Sequence, residues 1–345
     1  MNYSFFSHFL AVQDRISNTL LASVQVPAIR DLCSLFPFDA GADFGFETRL
    51  GDPQATCDFF MQIRKKGEGP AIFGGKSKIA RLSPMLLQDP VWTRLSALFA
   101  AWTEPGSILE EKLELFWLEF DYHVTSFNKV PSIFFKITES GDSAEAQRLS
   151  MIQVLDEMYR ILFGIPFPSN LSGNLKMCYE ALPTGAKIYQ TGFMIPRKAE
   201  AVRCLLSGIK ATHIARYLKD IGWAGEVGQV EDLTGRYASK FDKTTYNIHI
   251  GSEIMPALGM EMFMKNFGQP RWEPLWSEIF DLLETDNLVL ENKAEGLMRF
   301  PGIKRVSYLY PIRYINGINH LKLVSVKGSP PVVKGYFGTM INPDG

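Results

Sequence analysis

The sequence predicts an α+β fold, a closed antiparallel β-barrel of about ten strands ringed by α-helices. Three observations lead there. Strand pairs recur along the chain at a spacing of roughly seventy residues. The stretches between them carry apolar residues at helical spacing. The strands are apolar on both faces, so each face needs cover, and closing the sheet on itself supplies it while removing exposed edges. Eight strands enclose an interior that side chains just fill, so about ten leave a lumen for polar side chains and a ligand.

The first hairpin, near 43–65, is "FGFETRL" joined through Gly-Asp-Pro to "CDFFMQIR". The second, near 115–138, has two aromatic and β-branched runs around a polar link at 125–129. The third is expected over 175–195, turning at Pro183-Thr184-Gly185; the fourth near 244–265; the fifth near 318–338, turning at 327–330. Helices are expected between them. Asp89 and Pro90 cap one that places Trp92, Leu95, Leu98, Phe99 and Trp102 on one face. Another runs over 143–164 and ends at Gly164. Two more are expected over 197–223, divided near Gly208, and "EPLWSEIFDLLETDNLVL" supplies a further one, with Trp272 and Trp276 four residues apart at its start. Residues 1–345 thus form one domain of five helix-strand-strand-helix units.

Composition narrows the function. Thirty-six Lys and Arg face thirty-seven Asp and Glu, giving a formal charge of -1, so no global field draws the chain to nucleic acid or an anionic membrane. No stretch of about twenty apolar residues spans a bilayer. The four cysteines lie far apart, without zinc or redox spacing, and a reduced cytoplasmic protein is expected. "GPAIFGGKSK" fails as a phosphate loop because the first glycine would have to stand at Pro70.

Polar residues inside apolar strands are the candidate site. Glu47 stands among Phe44, Phe46 and Leu50, where an unpartnered carboxylate is costly. It fits either a lumen site or an ion pair with Arg49 or Arg64. Glu119 in "WLEFD", Glu180 in "CYEAL", His249 in "YNIHIG", and Glu261 and Phe263 in "GMEMFMK" occupy comparable positions. "AKIYQT" and "VKGYFG" both contain Lys-x-Tyr, and strand alternation would place Lys187 with Tyr189, and Lys334 with Tyr336, on one face. Lys136 in "SIFFKI" is a further cation.

Five such units resemble the ABBA prenyltransferases, and "FGFETRL....CDFF" looks like the first hairpin of their cyanobactin, peptide-modifying branch. The resemblance implies transfer of an isoprenoid from an allylic diphosphate to an aromatic or peptide nucleophile in the lumen. It implies Glu47 as the acceptor's base and Lys136, Lys187, Tyr189, Lys334 and Tyr336 as the diphosphate grip. Glu119, Glu180, His249, Glu261 and Phe263 would line the substrate pocket. No metal-binding acid motif is visible, and the family differs on magnesium. Glu261 and Phe263 replace the cation and tyrosine expected in the fourth hairpin. A barrel without a prenyl donor, binding a peptide or small molecule for a cyclisation or isomerisation, or a non-catalytic binding protein, are the alternatives.

Overall fold

The computed structural model describes residues 3–138, 144–197, 201–264, 275–307 and 310–343. Eleven strands form one antiparallel sheet: β1 (Asp43–Arg49), β2 (Cys57–Arg64), β3 (Leu113–Phe120), β4 (Ser132–Ile137), β5 (Lys187–Phe193), β6 (Val202–Ser207), β7 (Lys243–Ile250), β8 (Ala257–Phe263), β9 (Gly302–Ser307), β10 (Pro311–Val326) and β11 (Val332–Pro343). Ten of them close into a barrel. The chain winds from β1 to β8 with each strand beside its predecessor, β11 flanks β1, and β8 pairs with β10 to complete the circle. The eleventh, β9, extends the sheet beyond the ring along the first half of β10. A closed ring leaves its own strands no edge to pair with another chain.

Alternation along each strand divides two interiors. Phe44, Phe46, Phe59, Phe116, Phe135 and Phe337 point outward and are almost wholly buried beneath the helices. The helix Pro90–Trp102 seals one sector: Phe99 and Trp102 meet Phe116 at centroid distances of 5.1 and 4.8 Å. Asp89 caps that helix by accepting from the Val91 amide. The opposite strand faces form the lumen.

The first, second, fourth and fifth hairpins stand where the sequence places them, and the second carries a small ribbon, Tyr122–His123 with Ser126–Phe127, across its link. The third is displaced. Residues 175–180 belong to the helix Ser169–Glu180, whose buried Leu171, Leu175, Cys178 and Tyr179 follow helical period. The hairpin is β5 with β6, and β6 comes from the stretch expected to be helix. Pro183–Gly185 therefore turns a helix into a strand. The helix Leu275–Thr285 is as expected and buries Trp276; Trp272 lies outside the described residues. Among the described residues no helix is long and apolar enough to cross a membrane.

Candidate active site in the barrel lumen

The lumen holds two chambers that share part of their lining. The larger, about 530 Å³, opens at the end of the barrel where β5 and β7 begin. Aromatic rings make much of its wall: Phe60, Trp117, Phe134, Tyr189, Phe263 and Tyr336. Two of these rings lie over strand glycines. A Cβ at Gly45 would overlap Phe60, and one at Gly192 would overlap Phe134, so the missing side chains let the rings lie flat and keep the cavity wide. The smaller chamber, about 170 Å³, lies at the other end and is lined by Glu47, Asp58, Asp121, Arg197, His249 and Lys334. Phe60, Glu119, Arg203, Lys322 and Tyr336 border both.

Glu47 points into the lumen, the first of the two alternatives its place among apolar neighbours leaves open. It does not pair with Arg49 or Arg64; Arg64 binds Asp43 instead. Its two oxygens accept from the Lys334 ammonium and the Tyr336 hydroxyl. Burial alone would raise its pKa, but Lys334, Lys322 and these bonds hold it down to about 2. Lys334 and Tyr336 do share a strand face, and both engage Glu47 in this structure rather than standing ready for an anion.

Glu119 is the contrasting carboxyl. Burial pushes it up to about 7, with Glu47 adding to the rise and Arg203 and Lys322 opposing it. Asp58, the cross-strand partner of Glu47, is pushed up to about 6 by burial and then by Glu47. Glu261 lies in the wall of the larger chamber, where Asn247 donates to it at 2.9 Å and the Lys322 ammonium stands 3.3 Å away. Burial works to raise Glu261, yet Lys322 and His320 bring it below its ordinary value. The acid that the sequence sets where a cation was expected is thus neutralised by its direct cross-strand partner, Lys322.

The remaining predicted residues divide. Tyr189 and Phe263 line the larger chamber; His249 lines the smaller one and accepts from Arg203 Nε at 2.9 Å. Lys136 stands at the mouth, bridged to Glu114 at 2.6 Å, and shares a surface cleft with Lys187 and Tyr189. A register shift between Ile188 and Gln190 bulges β5, so Tyr189 and Gln190 both face the cavity and the simple two-residue alternation fails there. Glu180 is a correction: it is exposed at the end of the helix Ser169–Glu180, 3.7 Å from Lys176, because its segment is helical and turns it away from the barrel.

Sequence reasoning missed Lys243, Arg203, Lys322, Asn319 and His320. Lys243 sits over Tyr189 and Phe263 at 5.1 and 5.5 Å from their centroids. Burial and the charges of Lys187 and Lys136 pull its pKa down, against Glu261. Arg203 was hidden in the stretch read as helix; it lies 5.2 Å over the Phe134 ring. Lys322 carried a usable signal, a charge between Leu321 and Leu323 in an apolar run, as Glu47 is a charge in the run that begins at Phe44. Among the described residues no cluster of three His, Cys, Asp or Glu side chains has metal-holding geometry.

Comparison with solved structures decides the architecture. Prenyltransferase PriB in its apo form aligns over 97% of this chain and 96% of its own, with 12% identity and a TM-score of 0.54. The chain has the prenyltransferase-barrel, or ABBA, fold. The PriB complex with L-tryptophan and dimethylallyl thiolodiphosphate aligns over 97% of both chains at 13% identity and a TM-score of 0.52. The 5-dimethylallyltryptophan synthase of Streptomyces coelicolor covers 95% of both chains at 14% identity and a TM-score of 0.49. No protein-family model matches the sequence, and no curated protein matches it. The likeness therefore resides in the barrel, at a sequence distance where individual side chains have diverged.

Proposed function

We propose that the chain is a prenyltransferase, moving an isoprenoid from an allylic diphosphate to an aromatic or peptide nucleophile held in the lumen. The observation that carries this reading is the mouth of the larger chamber. Lys243 stands in the wall of that aromatic cavity, Lys136 and Lys187 share a cleft beside it, and burial together with the like charges of Lys187 and Lys136 depresses Lys243. A diphosphate there relieves that repulsion, and its affinity draws on the same charges. A cavity of about 530 Å³ is the size that small-molecule ligands occupy.

The chemistry follows from the placement. The allylic C–O bond breaks, the electron pair leaves with the diphosphate, and the lysines with Tyr189 balance the growing negative charge. The allyl cation is left among Phe60, Trp117, Phe134 and Tyr336, whose faces stabilise positive charge and exclude water. The acceptor's electron pair forms the new bond, and its displaced proton passes to a base. Glu119, pushed up to about 7 and bordering both chambers, suits that task at neutral pH. Glu47, held near 2 with both oxygens occupied, is a weak base and instead fixes Lys334 and Tyr336 in the shared wall. Location in the cytoplasm and a part in peptide modification belong to the same proposal.

A barrel working without a prenyl donor is the second reading, favoured by Glu261, a carboxylate in the wall of the larger chamber. One experiment separates the two. The protein is incubated with dimethylallyl, geranyl and farnesyl diphosphates and with indole, phenol and peptide acceptors, and products are read by mass. A prenyl mass gain is expected. The reading fails if no gain appears and inorganic pyrophosphate gives no binding heat.

A further inference from the structure

The smaller chamber has no task in the chemistry proposed above. At its outer end Arg197 donates to both oxygens of Asp121, at 3.1 and 2.8 Å, and the Arg197 side chain is 46% exposed, so this ion pair is the boundary with solvent. At its inner end stands Glu119, which borders both chambers. Asp58 belongs to the smaller chamber alone. Phe60 opposes Glu119 across β2 and β3, so Asp58 is the diagonal neighbour of Glu119, two residues along β2 towards the Asp121 end. Such diagonal pairs stand roughly 7–8 Å apart, a gap that one or two waters bridge.

Both carboxyls are open to the lumen. Glu119 and Asp58 are half-buried, with their remaining surface in the chamber walls. Among the described residues Glu119 accepts no hydrogen bond, and its oxygens are not sealed off. Asp58 is held at one oxygen, Oδ1, by the Tyr122 amide at 2.7 Å. The volume of about 170 Å³ admits roughly five waters at about 30 Å³ each. The polar groups of Asn247, His249 and Lys334 in the same wall give such waters partners.

Charge decides which groups can carry a proton there. Asp58 is faced by Glu47 from β1, Asp121 just after β3 and Lys334 from β11. Glu119 is faced by Arg203 from β6, Glu47, Lys322 from β10 and Arg197. Glu47, held down to about 2, stays charged at neutral pH. His249 from β7, lowered to about 3 by burial, stays neutral and accepts from Arg203. Glu119 and Asp58 remain, pushed up to about 7 and about 6, so a proton passes from the first to the second against little resistance.

We propose that the smaller chamber is a proton passage, in which Asp58 relays the acceptor's displaced proton from Glu119 through water to solvent at the Arg197–Asp121 pair. Each step breaks one O–H bond and forms another, and one proton reaches the bulk with no electron transferred. Glu119 is thereby returned to its carboxylate while product and diphosphate still fill the larger chamber. The proposal rests on the prenyl-transfer reading only for the source of the proton; the passage stands on the chamber's own geometry.

The test follows the Glu119 carboxyl by its infrared band after a pH jump across about 7, with the larger chamber plugged so that protons arrive from the other end. The plug is pyrene maleimide on a Phe263→Cys variant. The four native cysteines are buried, with thiols pushed up by burial, and do not compete for the label. Glu119→Gln in the plugged chain identifies the band. The band is expected to respond as fast with the plug as without it. Asp58→Asn should slow it by about 100-fold, the worth of one positioned proton carrier. Imidazole in the buffer should restore the rate, and Asp58→Glu should match the plugged parent. A band frozen by the plug, one that Asp58→Asn leaves as fast, or a slowing that imidazole does not restore overturns the proposal. Prenyl transfer by the unplugged chain, read by mass, keeps the two readings apart. A fast band without prenyl product sinks the prenyl reading alone; product with a band frozen by the plug sinks the passage alone.

Discussion

Two glutamates of one lumen, on β1 and β3 with β2 between them, titrate in opposite directions because one has an ammonium and a hydroxyl on its oxygens and the other is governed mainly by burial. Glu47 has Lys334 and Tyr336 as partners and is held down to about 2 from an ordinary 4.5. Its contribution to stability is therefore present above about pH 4.5 and lost as pH falls towards 2. Glu47→Gln leaves the Lys334 ammonium without its charge partner and should cost about 3 kcal/mol of unfolding free energy at neutral pH. Adding Lys334→Met should recover much of it, measured by urea denaturation in a double-mutant cycle. Glu119 has the reverse sign. With its folded value raised to about 7, the folded state holds the proton more tightly, so its stabilising contribution is full below about pH 4.5 and fades as pH rises through 7. Glu119→Gln should match wild type at pH 4 and gain up to about 3 kcal/mol over it at pH 8. In the proposed reaction the same substitution should lower kcat by roughly 100-fold or more and remove the rise in rate through pH 7. Glu47→Gln should change rate far less than Glu119→Gln. The sequence offers Glu47 as the base and Glu119 as a pocket residue; their opposite titration depends on partners from β6, β10 and β11, which alternation along one strand does not reveal.

At the scale of elements, regular strands were legible and irregular ones were not. Wherever alternation is unbroken, as in β1 and in β3 from Leu115 onward, the lumen-facing residues Glu47, Trp117 and Glu119 follow from counting by two. The bulges in β5 and β10 break the count, and they deliver Tyr189 with Gln190 and Asn319 with His320 to the cavity. The displaced third hairpin has a different cause. Val202, Cys204 and Leu206 face the helices while Arg203 and Leu205 face the lumen, and a half-buried arginine in a run this short reads equally well as one turn of helix. The lumen glycines make an element-scale prediction. Gly192→Ala should push the Phe134 ring into the larger chamber, since its Cβ would overlap that ring, and should weaken binding of bulky ligands more than small ones. A titration series of indole against a larger indole derivative checks the difference. Loss of the Asp89 cap in Asp89→Ala, by contrast, should cost about 1 kcal/mol of stability and leave ligand binding unchanged.

For the whole molecule, repetition made the barrel readable. Five hairpins separated by amphipathic helices, apolar on both faces, leave few ways to bury everything except a closed ring inside a helical sheath. The closing pair, β8 with β10, joins residues 59 to 69 positions apart, from Met262 with Leu321 to Ala257 with Val326, and is not coded locally. Nor was the electrical character of the lumen, which arises from strands brought together only by closure: lysines at one mouth, paired acids and cations at the other, aromatic rings between. That arrangement is the central claim about function. It is tested most directly by determining the structure with dimethylallyl thiolodiphosphate bound. The account predicts the diphosphate at the mouth of the larger chamber against Lys243 and Lys187, with the isoprenoid tail directed to Phe60 and Phe134. Diphosphate bound outside the barrel, or seated on Lys334 with Glu47 displaced, would contradict it.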